Sequence, residues 1–438
     1  MGANKKESGI DWIGEIPINW SYCRFKDVVN LYVGNSIKDE DKDNYCDDED
    51  ARNYISSKDV DVIFNTINYD TGLYVKYDDL NFRVAPKYST LMCIEGGSAG
   101  RKKAITLEDV SFVNKLCCFF PKNNDLNYKY LYYFLSSPNY EDYFFSQMTG
   151  MIGGVSISKL KNFPILLPPI KEQEDICKFL NKIIEPLDES IKELYSLIEK
   201  YKEYKQSLIT EVITTGLDSN VILKDSGVEL IGEIPNHWDI IRLKYAVVKK
   251  AQYGANCEPE SDINKFDYRY VRITDIDDNA SLKDEIVYLS KEDAEGFILN
   301  EGDVLFARSG ATVGKSYLYD GIDGKCCFAG YLIRYVPNVN KLNPKFLLYF
   351  TFSKSYVEWI KIVSTQSTIQ NVSASKYDNL ILPLPDINEQ NEIINYLDEK
   401  CDPINLLITE KEKRIDKLEE YKKSLIFEYV TGKKEVPK

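Results

Sequence analysis

The chain is written twice. Leu167-Pro168-Pro169-Ile170-Lys171-Glu172-Gln173 returns as Leu384-Pro385-Asp386-Ile387-Asn388-Glu389-Gln390, and Tyr204-Lys205-Gln206-Ser207-Leu208-Ile209 returns as Tyr421-Lys422-Lys423-Ser424-Leu425-Ile426. Glu172 and Glu389 stand 217 positions apart, and so do Pro186 and Pro403. Constant internal spacing restricts the fold more than composition does, because whatever the first copy forms the second must form too.

Each copy reads as a short helix, a proline and a long helix. Asp386 followed three residues later by Glu389 fits an N-terminal capping pair. Asp402 fits a cap ahead of Pro403 at a first helical position, where the missing N–H costs nothing. Beyond the proline the apolar residues step by four and three. Copy one gives Leu187, Ile191, Leu194, Ile198, Tyr201, Leu208 and Val212; copy two gives Ile404, Ile408, Ile415, Leu418, Leu425 and Tyr429. Lys205, Lys411 and Lys422 fill gaps in these series. This is a heptad seam over about four heptads, closed by Gly216 and Gly432. Unrelated helices on separate cores would not share the spacing, so the copies are expected to pair. Lys205 and Lys422 are equivalent, and in a parallel in-register pair the two ammonium groups would face each other. An antiparallel pair keeps them apart, and they are expected to help set that arrangement.

The repeat extends beyond the helices. Ile13-Gly14-Glu15-Ile16-Pro17 with Trp20 answers Ile231-Gly232-Glu233-Ile234-Pro235 with Trp238, and each leads into a globular region. The domain reading is globular domain one over 1–167, helical spacer one over 168–217, a polar linker over 218–230, globular domain two over 231–384 and helical spacer two over 385–433. Short apolar runs such as Leu91–Ile94 and Val304–Ala307, ending at glycine turns, read as strands. Leu131–Leu135 and Phe346–Phe352 read as helices. The fold class is α+β: two mixed domains joined by two long helices in an antiparallel coiled coil.

The net charge of −14 argues against a uniformly basic nucleic-acid binder. Its distribution matters more. Residues 1–167 carry 19 Lys+Arg against 23 Asp+Glu, and residues 238–384 carry 18 against 19, so each globular region can present one basic face. The ten cysteines include two vicinal pairs and no Cys-x-x-Cys, and there is a single histidine, which makes a zinc site improbable. No membrane-length apolar run or signal-peptide core is present, so a cytoplasmic protein with reduced cysteines and no membrane partner is expected.

Ser309-Gly310-Ala311-Thr312-Val313-Gly314-Lys315-Ser316 resembles a phosphate-cradling loop, but Ser309 replaces the first glycine. The residues after it read as a strand and turn rather than a helix, so nucleotide hydrolysis is a weak alternative. A glycine turn presenting Arg308 and Lys315, or Arg101, Lys102 and Lys103 in domain one, is a better clamp for DNA phosphates; a solvated hairpin tip explains them equally well. His237 lies where copy one has Asn19, which a general base would not tolerate. Two polar segments precede the helices: one holds Gln147 and Thr149, the other Thr365, Gln366, Thr368, Gln370 and Asn371. Gln and Asn can read adenine, and Thr suits bases or phosphates; an ordinary polar loop is the plainer reading.

The paired Ile-Gly-Glu-Ile-Pro openings, the Ser-Gly-Ala-Thr-Val-Gly-Lys turn, the Glu-Gln helix starts and the Tyr-Lys-x-Ser-Leu-Ile helix ends together resemble the DNA specificity subunit of a Type I restriction–modification system. That resemblance implies two target-recognition domains, each reading half of a split double-stranded DNA sequence. It also implies spacer helices that bind two methyltransferase subunits, and restriction subunits through them, with no cofactor and no catalysis of its own. The alternative from the residues alone is a coiled-coil scaffold with two protein-binding heads.

Overall fold

The computed structural model describes residues 5–150, 153–259, 268–364 and 371–437. The chain divides into two compact units: Met1–Ser196 with Lys411–Lys438, and Leu197–Glu410. Each unit therefore holds one globular domain and a stretch of each long helix.

The two repeated segments form continuous helices, Ile170–Thr215 and Ile387–Val430. The expected break at each proline is absent: Pro186 and Pro403 lie inside the helices. A proline interior to a helix lacks one N–H donor and costs about 3 kcal/mol. Flanking side chains buried in the cores, Ile184 beside Pro186 and Cys401 and Ile404 beside Pro403, hold the turns together. Asp402 is consequently a mid-helix residue and not a cap. Asp386 does cap, its Oδ1 accepting from the N–H groups of Asn388 (2.8 Å) and Glu389 (3.1 Å). The Glu389 side chain, expected to complete a capping box, is engaged elsewhere. Gly216 (φ +77°) and Gly432 (φ +67°) adopt the left-handed conformation that ends a helix.

Within each unit the helices run antiparallel. In unit one the Phe179 and Tyr429 rings are 4.6 Å apart and Asp188 meets Lys422. In unit two Lys205 meets Asn405, and Gly216 lies beside Glu389. Numbers rising along one helix meet numbers falling along the other.

The globular parts repeat one plan. A hairpin pairs Lys5–Glu7 with Glu15–Pro17 in unit one and Leu223–Asp225 with Glu233–Pro235 in unit two. The segment 218–230, read as a linker, thus contributes a strand. A second antiparallel pair joins Ser21–Arg24 to Pro164–Leu167, and Asp239–Arg242 to Ile381–Leu384. The central sheet of unit one takes Val29–Val33, Leu116–Pro121, Thr90–Cys93 and Lys103–Ile105 in that order. Unit two has Gln252–Tyr253, Leu332–Tyr335, Val304–Ala307 and Ser316–Leu318. Each unit adds a second sheet with one parallel pair, Ala51–Ile55 with Val110–Phe112 and Tyr268–Val271 with Cys326–Phe328.

Both faces of the central sheet are covered, so its side chains alternate between two cores. Cys117 and Phe119 enter the core shared with the helices, whereas Leu116 and Cys118 enter the core against the second sheet. The vicinal cysteines are thus consecutive small apolar groups on opposite faces of a strand. Among the described residues no helix is long and apolar enough to cross a membrane.

Candidate nucleic-acid interface

The repeated motifs bind each globular domain to its helix. Trp20 Nε1 donates to Glu172 Oε2 (2.6 Å) and Asn19 to Glu172 Oε1 (2.7 Å). In unit two Trp238 Nε1 donates to Glu389 Oε2 (2.8 Å), and His237 Nε2 lies 3.0 Å from the same oxygen. His237 and Asn19 are therefore equivalent partners of a helix carboxylate. Gln173 and Gln390 are fully buried. The Gln173 amide donates to Pro168 O and Asp125 O and accepts from Asn127 N, and the Gln390 amide binds Pro385 O, Lys341 O and Asn343 N in the same way. Both Glu-Gln pairs were visible in sequence, but their partners were not. The nearly equal separation of Glu172 from Trp20 (152 positions) and of Glu389 from Trp238 (151) was the available signal.

On this frame the glycine turn and the polar segment, widely separated in sequence, come together in both units. In unit one Glu95 bridges Gly154, and Val155 N donates to Ile94 O (3.0 Å). In unit two Ser309 bridges Asn371, and Val372 N donates to Arg308 O (2.8 Å). Lys159 Nζ donates to Gln147 O and Lys376 Nζ to Val363 O, so the repeated Ser-Lys pair pins the start of each polar segment. Thr365, Gln366, Thr368 and Gln370 lie outside the described residues.

The glycine-turn residues have distinct fates. Strand register equates Lys103 with Ser316, since they face Met92 and Phe306 at matching places. Lys103 is 2% exposed. Its ammonium is held by the Glu141 carboxylate and Leu135 O, and burial lowers its pKa. It is a core residue and does not reach a phosphate, because the strand that carries it has both faces covered. Lys102 and Lys315 are equivalent, and each turns inward. Lys102 Nζ donates to Ser57 O (2.9 Å); Lys315 Nζ donates to Ile276 O (3.2 Å) and pairs with Asp278 (2.7 Å). The Lys315 amine hydrogen-bonded to Asp278 holds that carboxyl below its usual value. These two lysines tie the turn to the second sheet's side of the domain. After the loop comes the strand Ser316–Leu318, so no helix N-terminus faces a phosphate.

The remaining candidates are more open. Arg101 and Thr149 are exposed, and Arg101 lies over the Phe145 ring at 5.9 Å. Gln147 is partly buried, its amide donating to Ser146 Oγ. Arg308 is partly buried with its guanidinium 4.8 Å above the Tyr253 ring. Arg308 Nε and Asn371 Oδ1 are buried without a hydrogen-bond partner among the described residues.

Along the helices Ile191, Leu194, Ile198, Ile404, Ile408, Ile415 and Leu425 are buried, while Leu187, Tyr201, Leu208 and Leu418 are partly so. Lys422 reaches the Asp188 carboxylate (2.5 Å) and Lys205 the Asn405 amide oxygen (2.7 Å).

Comparison with known proteins agrees with this architecture. The chain is 24% identical over 323 residues to the Type I restriction enzyme MjaVIII specificity subunit of Methanocaldococcus jannaschii, covering 71% of each chain. To that organism's putative MjaX specificity subunit it is 23% identical over 428 residues, covering 96% of this chain and 95% of the relative. A solved chain from work on complex assembly and conformational transition of the type I R-M system has the same fold (TM-score 0.57, 16% identity), with coverage of 95% and 98%. The model of the Type I restriction modification DNA specificity domain matches residues 17–200 and again 238–420, and the chain belongs to that family.

Proposed function

We propose that this chain is the non-catalytic, DNA-reading subunit of a Type I restriction–modification complex. Each recognition domain reads one half of an interrupted double-stranded target. The two long helices dock two methyltransferase subunits, and restriction subunits join through them. The observation that carries this reading is the twice-built junction of glycine turn and polar segment. Its backbone is the same in both units while its side chains differ: Ile94, Glu95 and Gly154 against Arg308, Ser309 and Asn371. A constant frame with variable side chains is what reading two different half-sites requires. Equivalent exposed tyrosines on the helices, Tyr204 (59%) and Tyr421 (51%), offer one like surface per unit, which suits two copies of one partner.

The test is methylome sequencing of cells carrying the chain with its methyltransferase, before and after exchanging residues 238–384 for a relative's. The reading expects a bipartite interrupted motif of which only one half changes on exchange. A continuous motif, or a change in both halves, would overturn it. A coiled-coil scaffold with protein-binding heads would show no salt-dependent DNA affinity.

A further inference from the structure

Arg308 stands out among the arginines that are not fully exposed. Arg52 donates to Ser111, Tyr77 O and Asp79 O; Arg269 to Asp323; Arg272 to Asp275; Arg334 to Asp303 and Ile298 O. The Arg308 guanidinium makes no hydrogen bond or ion pair among the described residues, and its Nε is shielded from solvent. A desolvated charged donor left unpaired is unfavourable and calls for an explanation, which a ligand engaging the guanidinium would supply. The cation–π contact with the Tyr253 ring, 4.8 Å from the guanidinium carbon, restrains the fork without consuming a donor. Tyr253 is itself held, its hydroxyl accepting from Ala374 N (3.1 Å), and it remains 40% exposed. Tyr331, whose carbonyl accepts from Arg308 N (3.0 Å), is 60% exposed beside it. The result is a pre-oriented donor fork at an open, aromatic-walled edge of the junction.

The repeat shows which part of DNA the fork addresses. Matching strand registers place Arg308 where unit one has Ile94, and Tyr253 where unit one has Val33. Both members of the stacked pair are replaced by aliphatic residues that join the unit-one core. Phosphates are the same in every half-site, so a backbone clamp belongs in both units. A contact that depends on the base need occur in only one. The acceptor pair that a fixed guanidinium fork matches on a base edge is O6 and N7 of guanine.

We infer that Arg308, positioned by Tyr253, reads a guanine in the half-site recognised by the second domain. This rests on the proposed function and adds the residue and the base. The experiment uses the full chain in its methyltransferase complex, with methylation scored on DNA randomised in the second half-site. Wild type should demand guanine at one position there. Arg308→Ala and Arg308→Lys should both relax that position by about 10- to 100-fold, leave the first half-site unchanged and keep the salt dependence of binding. Tyr253→Leu, which retains the arginine, should weaken the same position and carries the test should the Arg308 variants fail to assemble. Equal loss on all sequences with a shallower salt slope would overturn the inference in favour of a phosphate contact. Unchanged preference in all three variants would overturn it outright. A wild-type complex with no bipartite motif would instead refute the proposed function.

Discussion

Replacing Lys315 separates two accounts of the glycine turn. Read from sequence, Lys315 is a phosphate clamp; in the structure its ammonium is spent on Asp278 (2.7 Å) and Ile276 O (3.2 Å). A lysine neutralising one phosphate contributes about 0.9 to the slope of log binding constant against log salt. A lysine tied inward contributes nothing to that slope but something to stability. Its side chain is 27% exposed and that of Asp278 is 84% exposed, so solvent screens most of the pair's attraction. The tie is then worth about 1 kcal/mol. The pH dependence follows from the sign of the Asp278 shift. Its folded pKa lies below 3.8, so its contribution is present above that pH and is lost as pH falls through the folded value. Lys315→Ala should therefore keep the salt slope of the methyltransferase complex in fluorescence anisotropy. It should lower the urea midpoint of the second unit slightly at neutral pH, and less in acid. A slope shallower by close to 0.9 with unchanged stability would refute the inward-tie account.

Glu141→Ala should destabilise the first unit by about 3 kcal/mol in urea denaturation, because it strands the buried Lys103 ammonium; adding Lys103→Met should recover most of the loss. Gly432→Ala should cost about 2 kcal/mol or more in the same assay, since a Cβ there would lie 2.4 Å from Pro17 Cδ at a φ of +67°. With Ellman's reagent at pH 8, Cys46 should react first, being the exposed cysteine. Burial pushes Cys326 and Cys327 up to about 12, which leaves almost no thiolate there, and those thiols should react only on unfolding.

The repeat made the fold legible because equal spacing survives where local signals are weak. The strands at Thr90–Cys93 and Val304–Ala307 and the helices Tyr128–Leu135 and Pro344–Phe352 were readable from apolar runs and their bounding turns. Pro186 and Pro403 misled because a proline beside an acid carries the same local signature at a helix start as inside a packed helix; only tertiary burial distinguishes the two. Lys103 misled in another way. Arg101-Lys102-Lys103 looks like an exposed basic tip, yet the turn ends one residue sooner than its charges suggest. Strand alternation then sends Lys103 towards the helical core and Ala104 into the opposite one. No count of charges could have revealed that Glu141, on a helix 38 residues further along the chain, waits for it.

The seam lysines show how a repeat can specify orientation by attraction rather than by avoidance. Lys205 and Lys422 occupy equivalent places, and so do the residues they meet, Asn405 and Asp188. Each lysine of one copy thus finds its partner on the other copy's helix, just beyond the proline, as an antiparallel pairing permits. The two contacts are not equal in consequence. In the second unit Lys205 faces neutral amides, Asn405 and Asn279, and burial lowers its pKa. In the first unit Lys422, 18% exposed, faces a carboxylate. A parallel or slipped pairing would part that partly buried ammonium from this counter-ion, at a cost of about 1 kcal/mol after solvent screening. Of the two polar contacts, Asp188–Lys422 is therefore the stronger restraint on the register, and the Lys205–Asn405 contact repeats the geometry with a weaker one.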